Sequence, residues 1–176
     1  LDRICWDDYF MGLTLFISRK SKDSSTRHGC LLVDKNNKAI SFGYNGTPSS
    51  CKESLLSHER PDKYLVYIHG ESNALISANS KTEGCKAFIS GHPCIRCLCL
   101  LMQAGIKEII YGPIKSKNPE SPHFKESENK IVKNLLDGYD LILREWKPKN
   151  LNLLIEEFKS VINILEENYK TIDIPF

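Results

Sequence analysis

The sequence predicts a layered α/β domain with a sheet held between helices. Short apolar runs alternate with segments of helical periodicity along the chain, and no internal repeat or low-complexity tract interrupts them. A length of 176 residues, 41% hydrophobic and 26% charged, suits one globular domain whose core stands without staples.

The elements follow in order. Residues 7–20 place Tyr9, Phe10, Leu13, Phe16 and Ile17 on one helical stripe behind an acidic start. A polar loop, SKDSSTRHG, comes next. CLLVDKNNKAISFGY then reads as two short strands around a turn at Asn36 and Asn37. NGTPSSCKESLLSHERPDKY is turn-rich and reads as a long loop. Residues 69–79 are predicted helical, 85–90 a strand and 94–104 helical, and KEIIYG is a buried strand. KESENKIVKNLLDG is a helix that stops at Gly138, and YDLILREW is the last strand. Residues 150–169 repeat Leu151, Leu154, Ile155, Phe158, Ile162 and Leu165, an amphipathic helix. The expected division is a catalytic domain over 1–148 and, over 149–176, a C-terminal helix packed on it or placed at an oligomer interface.

Net charge is +2, which gives no electrostatic argument for a nucleic-acid or membrane partner. No apolar run approaches the ~18 residues of a membrane span. There is no signal-like N-terminus, and a start at Leu1 reads as trimmed. Seven scattered cysteines indicate thiols and metal in a reducing cytosol, not a disulfide framework.

The chemistry gathers at HPCIRC, residues 92–97, and IHGE, residues 68–71. Cys94 and Cys97 open a predicted helix, and three residues along a first turn bring two sulfurs to the same side. A helix N-terminus also favours thiolate over thiol. His69 opens another helix, with Glu71 two residues on, near enough to flank an ion without ligating it. One imidazole and two thiolates leave the fourth tetrahedral position for water, the open arrangement of catalytic zinc; a structural site is closed by four protein ligands. A lone C-x-x-C could equally be a redox pair or half of a structural site, and a lone H-x-E any helix surface. The joint pattern H-x-E…P-C-x-x-C, each half opening a helix, matches the signature of zinc nucleobase deaminases.

On these residues the chain resembles the deoxycytidylate (dCMP) deaminases, over roughly residues 6–145. The segments WDDYFMGLTLFISRKSKDSSTRHGC, GYNGTPSSC, HGESNAL and HPCIRC…LLMQAGIKEIIY carry the resemblance. The zinc motif is common to cytidine-type deaminases, and SKD followed by GYNG-x-P narrows it to the deoxycytidylate branch. The resemblance implies a three-layer α/β/α cytidine-deaminase-like fold with a five-stranded mixed sheet. It also implies a homo-oligomer, hexamer or dimer, with control by dCTP and dTTP. Position by position, His69, Cys94 and Cys97 match zinc ligands, Glu71 the proton-shuttling glutamate, and Asn45 a residue that bonds the nucleotide's sugar and base. Departures are Gly70, where the family has Ala, and His92, placed to face the base where the family has an apolar or small residue. After the IIY strand, GPIKSKNPESPHF carries no obvious counterpart of the family's tyrosine.

The resemblance places the polar loop near a phosphate, which makes Lys22, Thr26 and Arg27 candidates to hold it, with Arg27 preferred for its bidentate geometry. His123 and Phe124 could close over the pocket. Cys30, Cys51, His58 and Cys85 offer ligands for a second, structural zinc, but buried free cysteines are common, so one ion per chain is expected. The expected activity is dCMP plus water to dUMP plus ammonia, or the same reaction on a C5-modified dCMP, in the cytoplasm. A deaminase of tRNA or single-stranded DNA would need a basic groove with aromatic platforms. A non-catalytic nucleotide-binding scaffold would need the ligands but not Glu71.

Overall fold

A computed structural model describes residues 2–79, 81–115 and 126–169. Helix α1 spans Trp6–Ser18 and is followed by strands β1 (Gly29–Val33) and β2 (Ala39–Tyr44). The region read as one long loop contains a short helical turn, Glu53–Leu55, and a one-turn helix, α2 (Lys63–Val66). Then come α3 (Gly70–Ser77), β3 (Lys86–Gly91), α4 (Ile95–Gln103), β4 (Glu108–Ile114), α5 (Glu126–Asp137), β5 (Ile142–Glu145) and α6 (Leu151–Tyr169).

The strands form one five-stranded mixed sheet in the order β2-β1-β3-β4-β5. β1 runs antiparallel to both β2 and β3, whereas β3, β4 and β5 are parallel. The inner strands β1 and β3 are buried along nearly their whole length because both their faces are covered. Alternation along them separates two cores. Cys30, Leu32, Ala87, Ile89 and Ile109 face α3 and α4, meeting Ala74, Leu98, Leu101 and Met102. Leu31, Val33, Phe88 and Ile110 face the other way, onto Phe10 and Met11 of α1, Trp146 and Leu154. The sheet therefore lies between two helical layers, as the sequence implied.

Two glycines set how closely the layers approach. A Cβ on Gly29 would stand 2.6 Å from the Thr14 carbonyl oxygen of α1, and one on Gly43 would collide with the Gly70 carbonyl and the Ala74 amide of α3. Asn73 Nδ2 adds a 2.8 Å hydrogen bond to the Tyr44 carbonyl. Helix α3 is thereby seated backbone to backbone on β2.

Helix α1 departs from the expected stripe. Its buried residues include Phe10, Met11, Gly12 and Thr14, while Tyr9, Leu13 and Phe16 of the stripe are exposed. Phe10 and Met11 pack onto the sheet, the Thr14 carbonyl passes close over Gly29 of β1, and Gly12 lies against Phe158 of α6. On its buried side, the Asp8 carboxylate accepts from Trp146 Nε1 at 3.0 Å and from the backbone amides of Lys149 and Asn150. That bond set anchors the start of α6. Among the described residues, no helix is long and apolar enough to cross a membrane.

Candidate active site

His69 and Cys94 occupy the same structural position, the N-cap residue of α3 and of α4, both with extended backbone. Helices α3 and α4 pack side by side, so the two caps project into one space. Cys97 joins them from the first turn of α4. Its sulfur lies 3.4 Å from His69 Nδ1, and Cys94 Sγ lies 3.6 Å from the same nitrogen. The three ligand-type atoms all lie within 4.8 Å of one another. His69 is exposed, Cys94 half-buried and Cys97 buried, so the cluster is reached from the histidine side.

The electrostatics suit a cation. The Cys94 thiol is pulled down to about 3, first by the hydrogen bond from Cys97 and then by His69 and the Cys97 amide. The Cys97 thiol is pushed up, chiefly because the Cys94 thiolate needs its proton. Hydrogen bonding to Cys94 raises His69. One sulfur is thus already anionic, and a metal would displace the shared proton from the second. Two sulfurs and an imidazole nitrogen within one ion's reach form a donor set that fits zinc. Glu71, in the first turn of α3, is 5% exposed, and burial pushes its carboxyl up. It sits against Cys97 and in the field of His69 and Cys94 without belonging to the ligand cluster.

Asn45 is buried and both ends of its amide are hydrogen-bonded. Its Oδ1 accepts from the His28 amide at 2.7 Å, and its Nδ2 donates to Asp23 Oδ2 and the Thr26 carbonyl, each at 3.1 Å. Ser21 Oγ donates to the Asn45 carbonyl at 2.7 Å. Asn45 therefore pegs the 21–28 loop. His28 Nδ1, 3.2 Å from Ser90 Oγ, ties that loop to the strand leading into His92 and Cys94. Thr26 Oγ1 is, among the described residues, the buried side-chain oxygen without a hydrogen-bond partner. Arg27 is partly exposed and Lys22 exposed. The exposed ring of His92 meets the Tyr111 ring edge-on, at 4.8 Å between centroids. His123 and Phe124 lie outside the described residues.

A buried ion pair was missed by sequence reasoning. Lys63 of α2 is 3% exposed, and its ammonium donates to Asp23 Oδ1 at 2.7 Å and to Ser25 Oγ at 2.9 Å. Asp23 thus sits between Lys63 and Asn45, holding the polar loop to the segment that leads into His69. Burial alone would raise the Asp23 carboxyl, but the Lys63 bond and the Ser25 and Thr26 amides hold it below its ordinary value. The only hint was a lysine beside aromatics in DKYLVY, and a surface lysine would read the same way.

The residues considered for a second zinc do not converge among the described residues. Cys30 and Cys85 are buried and Cys51 is exposed, while His58 Nδ1 sits 2.8 Å from the Tyr67 hydroxyl.

Comparisons with known proteins agree with this geometry. The family described as the cytidine and deoxycytidylate deaminase zinc-binding region matches residues 4–113. Deoxycytidylate deaminase of Homo sapiens is 35% identical over 162 residues, 88% of this chain and 87% of its own length. The enzyme of Mus musculus is 32% identical with the same coverage. Among solved structures, the dCMP deaminase of cyanophage S-TIM5 in complex with dCMP and dUMP superimposes with a TM-score of 0.59. It is 22% identical and covers 79% of this chain and 95% of that one, a likeness of fold. A zinc-binding motif that folds into one cluster, together with relatives matched along most of their length, places this chain in the deoxycytidylate deaminase family.

Proposed function

We propose that the protein is a zinc-dependent deaminase that converts dCMP and water into dUMP and ammonia, C5-modified dCMP being a second substrate to test. The observation that carries this reading is the His69–Cys94–Cys97 cluster within 4.8 Å with the buried Glu71 beside it. In this reading residues 1–148 do the chemistry. His69, Cys94 and Cys97 hold the ion, which when bound supplies Lewis-acid activation of water. Addition of water at C4 of cytosine requires one proton at N3 and a second on the departing amine. Glu71, buried and with its carboxyl raised by that burial, moves both, and a carboxylate that is not a ligand is free to do so.

The 21–28 loop supplies the nucleotide contacts. Arg27 and Lys22 provide positive charge for the phosphate, and the unpartnered Thr26 hydroxyl offers a further hydrogen bond. Asn45 shapes this loop from beneath, and any bond to the sugar uses the remaining lone pair of its Oδ1. His92, braced on Tyr111, borders the base. The same reading makes the protein a cytoplasmic homo-oligomer, with dCTP and dTTP as the effectors to add.

The deciding assay is ammonia release across dCMP, its C5-methyl and hydroxymethyl forms, CMP, deoxycytidine, dCTP, dAMP and a cytosine-containing oligonucleotide. A preference for dCMP or a C5 form is expected. Equal rates on nucleoside and nucleotide, or a preference for the oligonucleotide, would overturn it.

A further inference from the structure

Helix α6 carries Leu151, Ile155, Phe158, Ile162, Leu165 and Tyr169 at steps of four, three, four, three and four residues. That is the heptad spacing of a seam shaped to meet another helix. All six are exposed, by 41% to 55%. From Ile155 to Tyr169 every residue is exposed, and the helix is held to the domain at its base by Leu154 and the Asp8 anchor. Phe158 lies against Gly12, whose added Cβ would stand 3.0 Å from the ring, so α1 runs beside this seam. Helix α1 presents a seam of its own in Trp6, Tyr9, Leu13 and Phe16, at steps of three, four and three, 36% to 72% exposed.

We propose that this paired face binds a second copy of the chain, α1 and α6 of each protomer packing on α1 and α6 of the other. This deepens the homo-oligomer reading above by naming its face. Three features favour that occupant. A helical run of this length without tertiary cover is marginal in water, so the outer part of α6 needs a partner to persist. The two seams together offer on the order of 1,000 Å² per copy, above the ~800 Å² per partner of a stable interface. An isologous pairing covers the same seam on both copies and leaves none open, whereas a head-to-tail contact would leave one exposed at each end. The charged residues Glu156, Glu157, Lys159, Glu166 and Glu167 all fall off the seam. Their acidic balance also disfavours an anionic lipid surface, which selects basic polar faces.

The test is sedimentation velocity with light scattering on the zinc-loaded full chain at tens of micromolar. Wild type is compared with an Ile162→Glu/Leu165→Glu double variant and, separately, with Phe16→Glu. Wild type is expected at twice the 20.1 kDa chain mass or a higher even multiple, and each variant at half the wild-type mass with unchanged zinc content and a circular dichroism that loses no more than the outer turns of α6. A monomeric wild type, or folded variants that keep the full mass, would overturn the proposal. Should the variants misfold, amide exchange of wild type at two concentrations replaces them. Protection over 155–169 must rise with concentration, and protection equal in monomer and oligomer would show the seam covered by its own chain and overturn the proposal. A monomer that deaminates dCMP would sink this inference and leave the proposed activity standing; an inactive dimer would do the reverse.

Discussion

At the mouths of α3 and α4, polar side chains are buried and bonded to one another; along α1 and α6, large apolar side chains stand in solvent. Burying Lys63, Asp23, Asn45 and Glu71 costs free energy that packing alone would not return. Lys63, Asp23 and Asn45 recover it through short internal hydrogen bonds, and Glu71 stays protonated to higher pH. Helices α1 and α6 show the opposite imbalance, apolar area that one chain does not bury. The lesson is that misplaced polarity points to chemistry at one region and to assembly at the other. Substitutions at the rim should therefore change metal, turnover or folding without changing molecular mass.

The largest effect is expected from Cys97→Ala. It removes the buried sulfur, so metal analysis should fall from one zinc per chain to near none and deamination should vanish with it. Melting temperature should fall too, because the ion ties two helix starts together. One zinc retained would contradict the ligand assignment. Glu71→Gln should keep its zinc yet turn over slower by about 10²–10⁴-fold or more, since an amide holds the shape but moves no proton. Substantial residual turnover would remove Glu71 from the mechanism.

Lys63→Met tests the ion pair. Leaving the Asp23 carboxylate buried without its cation should cost about 3–5 kcal/mol in denaturant unfolding at pH 7. The folded carboxyl lies below its unfolded value of 3.8, so the pair's contribution is fully present above that pH and is lost as pH falls through the folded value. The gap between wild type and Lys63→Met should accordingly close in acid. A pH-independent gap would assign the loss to packing, and an altered oligomeric mass would break the contrast between the two regions.

Arg27→Ala should erase most of the preference for dCMP over deoxycytidine while sparing the nucleoside rate, on the scale of about 1.5–3 kcal/mol for a charge-assisted hydrogen bond. A preserved preference would move the phosphate role to Lys22. Asn45→Ala should lower kcat/KM about 5- to 150-fold with zinc content unaffected, equivalent to about 1–3 kcal/mol for an unpaired polar group. Because its amide also pegs the 21–28 loop, stability should fall together with affinity. Unchanged kinetics with lowered stability would reduce Asn45 to a loop peg.

Much of the fold was legible because its signals are local. The alternating runs placed β3 within a residue, at Lys86–Gly91, and Gly138 marked the end of α5. The zinc cluster was legible for the same reason, since a three-residue spacing at a helix start fixes two side chains whatever surrounds them. Lys63 was not legible, because its meaning lies in Asp23, 40 residues earlier, and nothing in DKYLVY reveals that partner. Asn45 was read as a nucleotide contact, and its bonds to His28, Asp23 and Thr26 emerge only when the loop folds over it. The stripe of α1 was found but not its orientation. Periodicity shows that a face is apolar, but not that Phe10 and Met11 would lie on the sheet while Gly12 met α6.

The seat of α3 on β2 has a further consequence for how the protein can change. Because Gly43 meets Gly70 and Ala74 main chain to main chain, the depth at which His69 and Glu71 sit is set by backbone and is insulated from the volumes of core side chains. Drift among Leu, Ile and Val in the interior can proceed without retuning the reacting centre. The first methyl group added at Gly43 cannot, for it lifts the whole helix and both groups with it.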